Sequence, residues 1–203
     1  AETGGAWTVS GGASNATVSG GAGHLSTPVK GSSVAAYLNK VSSVDTAVQF
    51  SVGLDAPTTG GGLYVYSAAR HVGSSDYRLG VRFPATGAVT LQLSRMVDGV
   101  ETTLKSVTLS GVTYSPGQVL VVRFDVAGNG TTTLSGKAWV KGSTEPAAWQ
   151  LTATDTTAAL QSAGGVGLST YLSGSATVAP VVLHLDDFWA GAAGTAPQAT
   201  PMG

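Results

Sequence analysis

Short apolar-alternating runs divided by turn dipeptides constrain this chain more than any other feature. Val89-Thr90-Leu91-Gln92-Leu93 and Leu120-Val121-Val122-Arg123-Phe124-Asp125-Val126 are typical of them. Strict period-two alternation is the signature of half-buried strands, because successive side chains in a strand point to opposite faces. The runs are separated by Gly, Ser, Thr, Asp98-Gly99 and Asn129-Gly130. Such dipeptides favour the positive φ angles of tight hairpins. The pattern predicts an antiparallel, all-β chain from end to end.

Strands are expected within Trp7–Leu25 (two short ones), and over Val34–Leu38, Ala47–Leu54, Leu63–Arg70, Tyr77–Phe83, Val89–Val97, Val119–Val126, Leu134–Lys141, Val166–Leu172 and Val181–Phe188. Thr156–Ser162 alone reads as weakly helical. Strand–helix alternation is missing, which excludes a parallel α/β fold. At 203 residues with 42% hydrophobic content, the chain suits one antiparallel two-sheet β-sandwich of jelly-roll type. Residues 1–189 read as that sandwich, and 190–203, rich in Gly, Ala, Pro and Thr, as a linker or tail.

Only 10% of residues are charged and the net charge is −1, so no electrostatic case exists for nucleic acid or an anionic membrane surface. No apolar run is long enough to suggest membrane insertion. Cysteine is absent, and the Thr/Ser/Gly-rich, Lys- and Glu-poor composition is that expected of an exported bacterial protein stabilised by its core. The first residues carry no leader pattern, as expected of a mature or excised piece.

Several segments in order resemble the concanavalin A-like (laminin-G-like) jelly-roll domains of secreted and surface proteins of high-GC Gram-positive bacteria and of their phages. They are Gly4-Gly5-Ala6-Trp7-Thr8-Val9, Ser75-Asp76-Tyr77-Arg78, Pro146-Ala147-Ala148-Trp149-Gln150-Leu151, Gly165-Val166-Gly167-Leu168 and Leu185-Asp186-Asp187-Phe188. The resemblance implies carbohydrate recognition as the commonest role, in a secreted or surface-exposed context. Such domains usually open with an extra strand, so the resemblance also implies an open edge beside Trp7–Ser10 or Val181–Phe188, to be completed by the C-terminal segment, another copy or another strand.

The catalytic branch of that fold class carries a Glu-x-Asp-x-x-Glu strand whose carboxylates straddle the scissile bond. The glutamates here are Glu2, Glu101 and Glu145, and no such motif exists. The histidines His24, His71 and His184 are scattered along the sequence. A non-catalytic module is therefore expected.

Sugar binding needs aromatic faces for pyranose rings beside side chains that hydrogen-bond pairs of hydroxyls. Alternation puts Tyr64, Tyr66 and Arg70 on one strand face, with Arg78, Arg82 and Gln92 beside them if neighbouring strands pair in order. The same residues also suit a plain solvated sheet face. His71, Asp76 and Tyr77 at the adjoining loop form a second candidate, since binding often sits in loops at a sandwich end. Trp139, between Lys137 and Lys141, is placed either to stack on a ring or to do no more than cover its sheet, while Trp7, Trp149 and Trp189 are expected to seal the core.

No cofactor is required by these residues. The resemblance implies one candidate, a structural calcium at Asp186 and Asp187, against the simpler reading of a strand end capped by carboxylates. The expected partner is a polysaccharide or cell-surface glycan. The rival expectation is a structural subunit of a virion or surface assembly, associating with neighbouring domains or identical copies through sheet edges.

Overall fold

The computed structural model describes residues 4–54 and 56–197. Its strands are β1 (Thr8–Ser10), β2 (Ala16–Ser19), β3 (Ala22–Thr27), β4 (Ser33–Ser43), β5 (Thr46–Leu54), β6 (Leu63–Val72), β7 (Ser75–Phe83), β8 (Ala88–Val97), β9 (Val100–Thr113), β10 (Val119–Ala127), β11 (Thr132–Val140), β12 (Leu151–Asp155), β13 (Gly164–Leu172) and β14 (Val181–Gly191). They form two seven-stranded sheets. The front sheet runs β1-β4-β13-β6-β7-β8-β9 and the back sheet β12-β11-β10-β5-β14-β3-β2. The strand pairs are antiparallel.

Alternation decides which face of each strand is dry. On the back sheet Val48, Phe50, Val52 and Leu54 of β5 lie beside Leu120, Val122, Phe124 and Val126 of β10, all buried. From the front sheet Leu63, Val65, Leu79, Val81, Phe83, Leu91 and Leu93 close onto them. Fully burying each such side chain stabilises the fold by roughly 1.5–3 kcal/mol. The two-sheet antiparallel sandwich expected from the sequence is the architecture observed.

Several elements differ from the sequence reading. β9 is the longest strand, yet the alternation hides it, because register shifts along its pairing with β8 interrupt the period. β12 is short and carries one apolar buried residue, Leu151, so it has little pattern to read. Of Thr156–Ser162, only Ala158–Leu160 forms a helical turn, of 3₁₀ type. Asp98 and Gly99 both take positive φ, +50° and +80°, and close the β8–β9 hairpin as expected. Around Asn129 the positive φ falls instead on Gly128 and Gly130, in a longer loop.

The expectation of an open edge along Val181–Phe188 is corrected: β14 lies inside the back sheet, paired with β5 on one side and β3 on the other. β1 is an edge strand of the front sheet, paired with β4. Nor does the body stop at residue 189. β14 continues to Gly191, and Gly194 N–H then donates to Asp125 Oδ2 at 2.7 Å. Arg123 Nη2 donates to Thr195 O at 2.5 Å. The remainder of the expected tail, 198–203, lies outside the described residues.

Tryptophan placement also differs. Trp7 packs edge-on against Phe188 with centroids 5.1 Å apart, at the margin of the core. Trp189 is half-buried and lies along its own strand over Gly191. Trp149 is 36% exposed on the outer surface of the back sheet. None of these three is sealed between the sheets.

Candidate functional site

The outer face of the front sheet is assembled by register. Tyr171, Tyr64, Arg82 and Thr90 form one row across β13, β6, β7 and β8. Ser169, Tyr66, Gly80 and Gln92 form the next, and Gly167, Ala68, Arg78 and Ser94 the third. Rows two residues apart along a strand are about 6.8 Å apart, so long side chains of adjacent rows touch.

The rings and guanidinium groups interleave. Tyr64 and Tyr66 are near-parallel at 6.2 Å, and Tyr171 is tilted against Tyr64 at 6.0 Å. Arg82 lies over the Tyr64 ring at 5.5 Å and Arg78 over Tyr66 at 5.6 Å. Two glycines make room for the rings. A Cβ on Gly80 would sit 2.9 Å from Tyr66 Cε1, and one on Gly167 2.3 Å from Tyr37 Cδ1. Side chains there would lift both tyrosines off the sheet.

Asp76 is the hub of the polar groups. It is fully buried beneath the platform and accepts Arg78 Nε at 2.5 Å, Arg78 Nη2 at 3.0 Å and a contact from His71 Nδ1 at 3.0 Å. The His71 ring in turn stacks flat on Tyr37, centroids 3.7 Å apart and planes 3° from parallel. Burial alone would lower the Arg78 pKa, but hydrogen bonding to Asp76 and its charge outweigh it and hold the guanidinium above its ordinary value. Burial raises the Tyr66 hydroxyl; burial and then the Asp76 charge raise Tyr37. Both phenols therefore remain neutral donors at physiological pH. From β9, Glu101 reaches into these rows and accepts Ser94 Oγ at 2.6 Å and Gln92 Nε2 at 3.2 Å.

Of the residues singled out in the sequence, Tyr64, Tyr66, Arg78, Arg82 and Gln92 share this face. His71 and Asp76 join it too, forming part of the same surface instead of a separate loop site. Arg70 does not. At φ +54° it sits in an irregularity of the β6–β7 and β6–β13 pairing, which turns its side chain inward. There it is 1% exposed and donates to Val44 O, Thr132 Oγ1, Leu160 O and Gly128 O. Burial lowers its pKa. Tyr77 also points inward, fully buried, and its hydroxyl donates to Asp155 Oδ2 at 2.8 Å.

Trp139 belongs to the opposite sheet. It is 8% exposed, beneath the segment 142–150. Lys137, 5.9 Å from the Trp139 ring, is tied to Pro146 O and to Glu145 at 2.9 and 2.6 Å. A stacking ligand has no access to that indole.

The residues of the implied calcium site fit that ion poorly. Asp187 sits at φ +52°, where β14 slips register against β5, and its Oδ2 accepts Lys141 Nζ at 2.6 Å and Ser51 Oγ at 2.7 Å. Those two bonds hold its pKa below the ordinary carboxylate value. Asp186 Oδ1 is engaged by the Asp187 backbone N–H. A lysine ammonium thus stands where a divalent ion would need oxygen donors. Among the described residues no group of three or more His, Asp or Glu side chains converges for a metal.

Tyr37, Tyr171, Ser94, Ser169 and Glu101 are members of the surface that sequence reasoning missed. They arrive from β4, β13, β8 and β9. The available signal was in the glycines: Gly165-Val166-Gly167 on a strand marks close approach of a neighbouring ring or backbone.

No family model matches the chain, and no curated protein matches it by sequence. Solved structures do match its fold. A carbohydrate-binding module, CBM66, from Bacillus subtilis superposes with a TM-score of 0.62 at 10% identity, covering 91% of this chain and 94% of that one. A legume lectin-like domain from Entamoeba histolytica gives 0.60 at 13% identity, covering 93% and 91%. A Bacillus licheniformis β-glucanase gives 0.58 at 16% identity, covering 89% of each. Chains of this fold thus include both carbohydrate-binding modules and carbohydrate-active enzymes, and the present chain is an all-β jelly roll of the concanavalin A-like kind.

Proposed function

We propose that this chain is a non-catalytic carbohydrate-binding or adhesion module of an exported protein, holding a glycan on the outer face of the front sheet. The observation that carries this reading is the ladder of Tyr64, Tyr66, Tyr171, Arg78 and Arg82, in which Tyr64, Tyr171 and Arg82 are half-exposed. The half-buried rings of Tyr64 and Tyr171 offer faces for pyranose stacking, buried Tyr66 packs beneath Arg78, and the arginines and Gln92 supply donors fixed in place by their neighbours. A sheet surface that only needed solvation would not require glycines beneath two of its rings.

The non-catalytic part rests on the carboxylates. Asp76 is buried under Arg78 and His71, and Glu101 is hydrogen-bonded to Ser94 and Gln92, so neither is arranged as one of a facing acid–base pair across an open cleft. Association through sheet edges finds less support. The longest edge strand, β9, is interrupted by register shifts, which spoil an edge as a template for a further strand.

A glycan array, followed by titration of the best oligosaccharide and a reducing-sugar assay on β-glucan and galactan, tests the reading. Saturable binding without sugar release is expected. Steady release abolished by one Asp or Glu substitution contradicts the non-catalytic role, and no binding to any glycan contradicts the module.

A further inference from the structure

The arginines of this chain differ in how their charge is met. Arg78, Arg95 and Arg123 each have a carboxylate oxygen at 2.5, 2.6 and 3.2 Å. Arg70 is buried and saturated by carbonyls and a hydroxyl. Arg82 is the exception: half-exposed on the platform, it has no acidic partner among the described residues. Its Nε donates to Gly61 O at 2.8 Å and its guanidinium carbon lies 5.5 Å from the Tyr64 ring centre. These two contacts fix the plane of the group and leave the terminal edge, with the Nη1 and Nη2 hydrogens, without an acceptor among the described residues. That edge matches the spacing of two carboxylate oxygens.

The negative groups of the surface lie elsewhere. Asp76 is spent on Arg78 and His71, and the Glu101 carboxylate, reaching over from β9, is spent on Ser94 and Gln92. Among the described residues an uncompensated cation thus stands beside the Tyr64–Tyr171 pair, while the Glu101 carboxylate is engaged in the neighbouring rows.

We propose that the ligand is an acidic glycan, with a hexuronic acid residue stacked at Tyr64 or Tyr171 and its carboxylate held by the Nη1/Nη2 edge of Arg82. This inference rests on the glycan-binding reading above and names the sugar class. A planar carboxylate accepts two parallel N–H bonds from a guanidinium already oriented by stacking, so little side-chain freedom is lost on binding. The corresponding neutral hexose offers one hydroxyl in the same place.

The test pairs chemistry with position. Hexuronic acid oligosaccharides of manno, gulo, galacto and gluco type, and the same oligosaccharides with their carboxyl groups reduced, are titrated by calorimetry into wild-type, Arg82→Gln and Arg82→Lys protein. The thermal midpoint of each variant is measured alongside. One acidic series binding at least about tenfold tighter than its reduced counterpart is the expected result, given the strength of charge-assisted pairs. Arg82→Gln erases that difference, weakening the acidic series far more than the reduced one, and Arg82→Lys restores it only in part. Equal binding of acidic and reduced sugars, or an acidic preference that survives Arg82→Gln, overturns the acidic class while leaving the glycan site standing. Absence of binding to both series overturns the site and the class together.

Discussion

On the front sheet Arg78 and Arg82 lie over Tyr66 and Tyr64; on the back sheet Arg123 lies over Trp149, and Lys137 within reach of both Trp149 and Trp139. The ingredients are alike, but their bonding is not. The back-sheet cations are spent within the chain: Arg123 on Asp125 and Thr195 O, Lys137 on Glu145 and Pro146 O. Asp125 is on the sheet itself, but Thr195 and the Glu145–Pro146 segment lie over it, the latter beside Trp139. On the front sheet Arg82 is tied to the Gly61 carbonyl through Nε, and its terminal edge has no acceptor among the described residues. Aromatic and cationic residues on a strand therefore do not define a binding surface by themselves. The number of their donors left over after folding does.

The largest effect that tests this contrast is Trp139→Ala. Removing a nearly buried indole should cost about 3 kcal/mol of stability, read by urea unfolding, and leave glycan affinity unchanged. Loss of affinity with unchanged stability would place the site on the back sheet instead.

A smaller effect comes from the bond that ties the sheets together between the two faces, from Tyr77 of β7 to Asp155 of β12. Burial, with the Asp155 hydrogen bond second, raises Tyr77 from 10.0 to about 12. A raised pKa contributes stability that is complete below pH 10.0 and lost as pH rises through about 12. Burial pushes Asp155 up, but bonds from Thr157, Tyr77 and Arg95 outweigh it and leave its pKa low. Its contribution is present above the ordinary carboxylate pKa and lost as pH falls below that. Tyr77→Phe should cost about 1 kcal/mol at neutral pH and flatten the alkaline limb of a stability–pH curve. An unchanged alkaline limb would mean that another group controls it.

The smallest effect is expected at Asp187. Its pair with Lys141 is half exposed on both sides, and such pairs contribute about 0–1 kcal/mol. Asp187→Asn should shift the thermal midpoint by no more than a few degrees, with or without added calcium. A calcium-dependent gain in the wild type that vanishes in this variant would revive the metal site.

The sequence made the dry face of nearly every strand legible, because Val48 to Leu54 or Tyr77 to Phe83 need only period two to be read. The same alternation located Tyr64, Tyr66, Arg78, Arg82 and Gln92, whose strands are sequence neighbours that pair in order. It failed where the period breaks. Arg70 lies where the chain leaves register at positive φ, and one irregularity exchanges the faces of everything beyond it. Tyr37 and Tyr171 were out of reach for a different reason. They reach the platform because β13 inserts between β4 and β6, a long-range pairing that no local pattern encodes. Trp139 was visible as an outward residue, but the segment that covers it follows it in the chain without a strand pattern of its own.

The central claim, that the front face and not the back face binds glycan, is tested most directly by one paired titration. The best array-selected oligosaccharide is titrated into Tyr64→Ala and Trp149→Ala proteins of verified fold. The account predicts a loss of roughly 1–3 kcal/mol in binding for Tyr64→Ala, by analogy with stacking of bases on aromatic rings, and none for Trp149→Ala. Binding that survives Tyr64→Ala and is lost in Trp149→Ala would contradict it.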